Sequence, residues 1–183
     1  TCLSYDPQSG FIYAKSLGGN TFYRYDPVAD KWTTMGFVPG TFMGQAAYLD
    51  GKIFHGGTQL NIYKIQTNSW TTVPFPVQAE TGNLTSDGQY VYLNLGPAPP
   101  YGAAFYRYDP VADTWLQLAD VPRDLYTNGG LSYHSGVIYA HADPTVGITG
   151  DGNTNFFKYY LASNTWIGST SIPGKASSGS AVD

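Results

Sequence analysis

The sequence predicts an all-β protein made of four copies of one four-stranded antiparallel unit. Three observations carry that prediction: a stretch spelled twice, a tryptophan that returns at intervals, and residue classes that alternate within each copy. The nine residues FYRYDPVAD occupy 22–30 and return at 105–113, each followed by one residue and a tryptophan, Trp32 and Trp115. Alignment on tryptophan brings out two more copies, IYKIQTNSW ending at Trp70 and FFKYYLASNTW ending at Trp166. The tryptophans stand 38, 45 and 51 residues apart, a spacing that signals a repeat architecture. The identical nine-mer joins every second copy, as the doubling of a two-repeat unit would.

Taken in chain order, each copy resolves into strands a, b, c and d. Strands a and b come first, as LSYDPQSGFIYA (3–14), AAYLDGKIFHGG (46–57), LTSDGQYVYLNLG (84–96) and LSYHSGVIYAHA (131–142). Each run is broken by Asp-Gly or Ser-Gly, the chemistry of a hairpin turn that needs positive φ. Strand c is the aromatic segment itself, whose residue classes alternate with the period of a two-faced strand. A basic residue recurs within it, Arg24, Lys64, Arg107 and Lys158, read as a solvated or salt-bridged position or, alternatively, as a ligand-binding ring. Strand d opens at each tryptophan and ends near Pro39, Pro74, Pro122 and Pro173. No segment has helical periodicity. Four-stranded units at this spacing are the blades of a β-propeller.

In detail the repeats resemble the kelch family: a glycine doublet after strand b (Gly18-Gly19, Gly56-Gly57), Tyr-Asp closing strand c, then Trp opening strand d. The second and fourth copies lack the Asp, and the third has only Gly96 after strand b. The resemblance spans the chain and implies one kelch-like propeller domain or segment over 1–183. Its blades would lie at about 1–40, 41–79, 80–125 and 126–176, with 177–183 opening a further strand. It also implies structural roles for Trp32, Trp70, Trp115 and Trp166, each buried between blades, and for Gly56 and Gly57. Galactose oxidase has this architecture too, but its copper–radical site needs a cysteine cross-linked to tyrosine. Here Cys2 is the only cysteine, and it stands at the edge of the repeats.

Composition narrows the function classes. Charged residues are 12% of the 183, aromatics 16%, and the net charge is −4. Nine Lys and Arg spread along the chain form no basic run, which argues against nucleic acid as a partner. A single cysteine excludes an intrachain disulfide framework and a cysteine-rich zinc site. Cys2 itself reads as a small buried hydrophobe. No apolar run reaches the length of a membrane span. The chain opens on Thr without a signal-peptide pattern, and reads as a processed product or a piece of something longer. Its low charge and abundance of Tyr, Asn, Thr and Gly are similar to those of secreted β proteins, so an extracellular location is expected.

Antiparallel strands send the a–b and c–d turns to one end of each blade and the b–c and d–a connections to the other. Length variation is confined to the second set, above all 97–104, 143–155, 73–82 and 118–130. Binding residues concentrate on loops held by a rigid scaffold, so this face is the expected binding surface. Tyr101, Asp143 and Asp151 are the candidate contact residues. Asp151, Asn153 and Asn155 stand at alternate positions in DGNTN, like the opening of a calcium loop, and calcium is the one cofactor suggested. The competing reading is an ordinary turn built from turn-forming residues. Asn83 in NLT is a glycosylation acceptor in form. His55, His134 and His141 fall in strands a or b with no nucleophile or paired-acid motif, and no catalytic constellation is visible.

The expected function is therefore a non-enzymatic interaction or structural module binding a protein or glycan, with self-assembly into a ring or filament. Its partners would include another copy of itself or missing blades. The alternative is an enzyme acting on sugars through a pocket at the propeller axis.

Overall fold

In a computed structural model, the chain is described over residues 2–16, 19–40, 45–96, 103–123, 125, 129–142 and 156–169. The described residues form four antiparallel sheets of four strands each, with no helix among them. The first is β1 (Cys2–Tyr5), β2 (Ile12–Lys15), β3 (Thr21–Asp26) and β4 (Lys31–Phe37); the second is β5 (Ala46–Leu49), β6 (Lys52–His55), β7 (Leu60–Lys64) and β8 (Ser69–Val73). The third is β9 (Glu80–Ser86), β10 (Val91–Gly96), β11 (Ala104–Asp109) and β12 (Thr114–Gln117); the fourth is β13 (Gly130–His134), β14 (Val137–His141), β15 (Phe156–Tyr160) and β16 (Thr165–Gly168). Every sheet is a meander in which each strand pairs with the next in sequence. Strands β1, β5, β9 and β13 lie side by side in that order. The arrangement is β-propeller-like, with four blades' worth of sheets side by side, and the sheets are called blades 1 to 4 below.

The repeat is explained by a structural ruler between strands c and d. In all four blades the strand-c tyrosine is paired in register with the strand-d tryptophan: Tyr25 with Trp32, Tyr63 with Trp70, Tyr108 with Trp115, Tyr159 with Trp166. Each tyrosine hydroxyl donates a 2.7 Å hydrogen bond to the residue five places on: Asp30, Asn68, Asp113 or Asn164. Those four residues have φ of 49°, 49°, 54° and 51°, the left-handed conformation that Asn and Asp tolerate best after glycine. Tyr-x4-Asx-x-Trp is thus the invariant: a turn residue that accepts a bond from the strand and releases the chain into strand d. In the twin copies Asp26 and Asp109 add a second device. Their carboxylates accept the backbone N–H groups of Val28 and Ala29, and of Val111 and Ala112, at 2.9–3.0 Å, an Asx turn around the proline.

This ruler corrects one sequence expectation. Counted back from tryptophan, the place held by Arg24, Arg107 and Lys158 belongs in blade 2 to Ile62; Lys64 lies two residues on and faces Lys52 across the ladder. No ring of four cations exists. Arg24 instead lies 4.3 Å from the centroid of Phe11, and Arg107 lies 4.0 Å from that of Tyr90, cation–π contacts within one blade.

Between blades the core divides into three seams. Tyr13, Phe22 and Val38 of blade 1 meet Ile53 and Tyr63 of blade 2. Leu49, Phe54, Leu60 and Ile62 of blade 2 meet Val91, Leu93, Tyr106 and Tyr108 of blade 3. Tyr92 and Phe105 of blade 3 meet Leu131, Ile138, Phe157 and Tyr159 of blade 4. The tryptophans belong to these seams: Trp70 lies 5.1 Å from Phe22, Trp115 lies 5.8 Å from Phe75, and Trp166 lies 5.1 Å from Phe105. Trp166 also donates its Nε1 hydrogen to the Ala119 carbonyl at 2.8 Å.

The expectation that all four indoles are substantially buried holds only in part: Trp70, Trp115 and Trp166 are partly buried against the seams, and Trp32 is 52% exposed. The reason lies in the direction of packing. Each tryptophan docks on the blade before its own, and among the described residues nothing precedes blade 1. The expected outcome is therefore unequal: Trp166→Ala should cost about 3 kcal/mol, and Trp32→Ala in dilute solution about 1 kcal/mol or less. Urea unfolding of the two variants checks this, and equal losses would contradict the seam assignment.

Candidate functional site

Strands β2, β6, β10 and β14 all run toward the b–c connections, and β1, β5, β9 and β13 all start from the d–a connections. Their ends meet on one face, and polar groups collect there. Among the described residues the buried polar side chains are Ser4, Asp6, Lys15, His55, Asn61, Asn83, Asn94 and His141. Asp6 lies at the opposite end, where its carboxylate accepts Gln8 N–H at 2.9 Å and the Ser9 hydroxyl at 2.5 Å, a turn-building role. Lys15, His55 and His141 close strands b on the connection face, Asn94 comes just before the end of its own, and Asn61 is the second residue of strand c in blade 2. The seams are apolar through their middle and polar at this rim.

Part of that polar capacity is used internally. Asn61 Nδ2 donates to the carbonyls of His55 and Gln59, both at 3.4 Å, and Asn94 Nδ2 donates to the Ala104 carbonyl at 3.2 Å. Gln45, just before β5, donates through Nε2 to the Leu131 carbonyl at 3.4 Å, and its Oε1 accepts Leu131 N–H at 3.0 Å. That pair joins blade 2 to blade 4. His55 is different: among the described residues neither of its buried ring nitrogens has a hydrogen-bond partner of good geometry, nor does Asn61 Oδ1. Burial, seconded by the nearby Lys15 ammonium, pushes the His55 pKa down to about 4, so the ring is neutral at pH 7. Orphaned buried groups of this kind are rare in native structures.

Beside this rim, on the same face, an open groove of about 640 Å³ runs between the b–c and d–a connections of blade 2. It is lined by Thr58 and Gln59 on one side and by Pro74, Phe75, Val77, Gln78, Ala79 and Glu80 on the other. Phe75 is anchored edge-on against Trp115, with centroids 5.8 Å apart, and Val77 is 42% exposed. Its volume falls within the usual span of ligand sites. On the opposite face a second open groove, of about 620 Å³, lies between blades 1 and 2. Asp6, Asp50, Lys52 and Lys64 are among its lining residues, so it is charged with both signs.

Of the residues singled out by sequence, Gly56 and Gly57 are buried directly after β6 and precede the wall of the connection-face groove. Cys2 is buried, which raises its thiol pKa. Asn83, the acceptor of the NLT motif, is 3% exposed and sits in β9 opposite Asn94, a place a glycosylating enzyme reaches only before the blade closes. His134 is exposed in β13. Tyr101, Asp143, Asp151, Asn153 and Asn155 lie outside the described residues. Among the described residues no group of three or more His, Cys, Asp or Glu is placed to hold a metal ion, and no helix is long and apolar enough to cross a membrane. Sequence reasoning missed the groove walls because Gln59, Gln78 and Glu80 are ordinary polar letters. It missed the His55 environment because Lys15, His55 and Asn61 belong to three strands of two blades.

His55 carries a pH signature. Its folded pKa lies below the unfolded value of 6.5, so its stabilisation is fully present above pH 6.5 and is lost as pH falls toward 4. The loss should be on the order of 3 kcal/mol. Urea unfolding from pH 7 to pH 4 should show a shallower decline for His55→Gln than for the parent chain, and parallel profiles would contradict the assignment.

Compared with protein-family models and with curated proteins, the chain matches none; its architecture and its own surface are the basis for a functional reading.

Proposed function

We propose that this chain is a non-enzymatic recognition module, a kelch-like propeller that acts outside the cell and binds a protein or glycan through its b–c and d–a connection face. The observation that supports this is the composition of the groove on that face. Thr58, Gln59 and Gln78 offer neutral donors and acceptors, Pro74, Phe75 and Val77 offer apolar surface, and Glu80 is the lone carboxylate among the described lining residues. A few fixed polar groups among apolar walls suit a neutral ligand with hydroxyl or amide edges. Among the described residues of that lining there is no histidine and no second carboxylate, which favours recognition over acid–base catalysis.

The reading is tested by screening the chain against immobilised glycans and extracellular proteins, then comparing Gln59→Ala/Gln78→Ala and Val77→Arg. These side chains lie on the surface, so the fold should persist, and binding should fall about tenfold or more. Unchanged binding in both variants would place the site elsewhere. Turnover of a sugar by the purified chain would replace recognition with catalysis.

A further inference from the structure

Each internal seam joins a socket on one blade to a plug on the next. In the first and third seams the socket is a stacked ring pair, Tyr13 with Phe22 (5.7 Å, 18°) and Tyr92 with Phe105 (6.2 Å, 24°). The plug is the strand-c tyrosine with its tryptophan, Tyr63–Trp70 (5.1 Å) and Tyr159–Trp166 (5.0 Å). In both seams the socket phenylalanine meets the plug in the same way. Phe22 lies 4.9 Å from Tyr63 and 5.1 Å from Trp70, and Phe105 lies 5.1 Å from both Tyr159 and Trp166.

One further plug and one further socket are present, and among the described residues neither is filled. Blade 1 carries Tyr25 against Trp32 at 4.9 Å. Around them on the same face lie Leu3 and Tyr5, 62% and 57% exposed. In the other three blades the equivalent tyrosines, Tyr63, Tyr108 and Tyr159, are 1–3% exposed. Blade 4 carries Tyr139 stacked on Phe156 at 5.9 Å and 24°, the receiving geometry of the other two stacked pairs. Both rings are only partly buried, whereas Tyr13, Phe22, Tyr92 and Phe105 are at most 2% exposed. No ring contact joins Tyr25 or Trp32 to Tyr139 or Phe156 within the chain.

We propose that the Tyr25–Trp32 face of blade 1 docks on the Tyr139–Phe156 face of blade 4 in a second copy of this chain, forming a fourth seam between molecules. Both halves are carried by the same chain at opposite ends of the blade array, each with the ring geometry of a seam already built twice inside it. The contact is head-to-tail. It closes into a ring if the rotation between copies returns to the start and grows into a filament if it does not. It does not rest on the ligand groove, which lies on the blade 2 connections.

Sedimentation equilibrium and light scattering on the whole chain at micromolar concentration test this. The parent chain should associate, as a closed dimer or as longer species. Trp32→Ser or Phe156→Ser alone should weaken association at least about 30-fold, the loss expected for a central aromatic anchor. A one-to-one mixture of the two variants keeps one intact plug and one intact socket, and should recover a heterodimer that stops at two copies. Leu3→Arg and Tyr139→Ser repeat the test if either serine variant melts early. A parent chain that stays monomeric, variants that associate like the parent, or a mixture that fails to pair would each overturn the proposal.

Discussion

The array depends on one contact: a tyrosine and a tryptophan laid side by side on one face of a blade and pressed against the blade before it. The hydroxyl of that tyrosine is tied to the turn residue five places on, which fixes the ring and so fixes the tryptophan beside it. Ring separations within these pairs stay between 4.8 and 5.1 Å in all four blades, although the rest of the sequence diverges. The hydrogen bond, the left-handed turn residue and the aromatic pair form one unit, and each part positions the next. Aromatic pairs add about 0.5–1.5 kcal/mol beyond their buried area. The larger effect here is geometric, since every seam inherits its register from this unit.

Blades also alternate in pairs. Blades 1 and 3 build the c–d turn from an Asp-Pro carboxylate and rest an arginine on a ring. Blades 2 and 4 build it from hydroxyl pairs, Thr67 with Ser69 and Ser163 with Thr165, and from backbone bonds of Ile65 to Gly51 and Leu161 to Gly136. The seams follow suit. The first and third centre on a stacked Tyr–Phe pair, while the second sets Leu60 where the others place phenylalanine and recruits Phe75 from a connection. The two-blade unit suggested by the repeated nine-mer is therefore visible in turn chemistry and in packing.

Strand number, strand order and hairpin turns were legible because they depend on neighbours in sequence: Asp50-Gly51 and Ser135-Gly136 take the positive φ their letters imply. The packing of the tryptophans against a seam was legible in three copies, where they are partly buried, and not in Trp32, since packing there depends on what lies before blade 1. The basic position of blade 2 was misplaced by two residues because Lys64 resembles Arg24 by chemistry, while the fold counts from Trp70. The polar rim left no signature. Its members are single residues on separate strands, and only the packing of blade 1 on blade 2 brings Lys15 near His55.

The double hydrogen bond of Gln45 to Leu131 has a consequence for how the chain folds. Each meander closes short loops and can form on its own, which keeps contact order low and loop-closure entropy small. Seams then add between adjacent blades, much as in a linear stack of repeats. Gln45 alone among the bonds described above skips a blade, so it can form only after blades 2, 3 and 4 are all in place. It acts as a late latch. With it made, blade 3 cannot loosen without releasing its neighbours, and three separately foldable meanders melt as one.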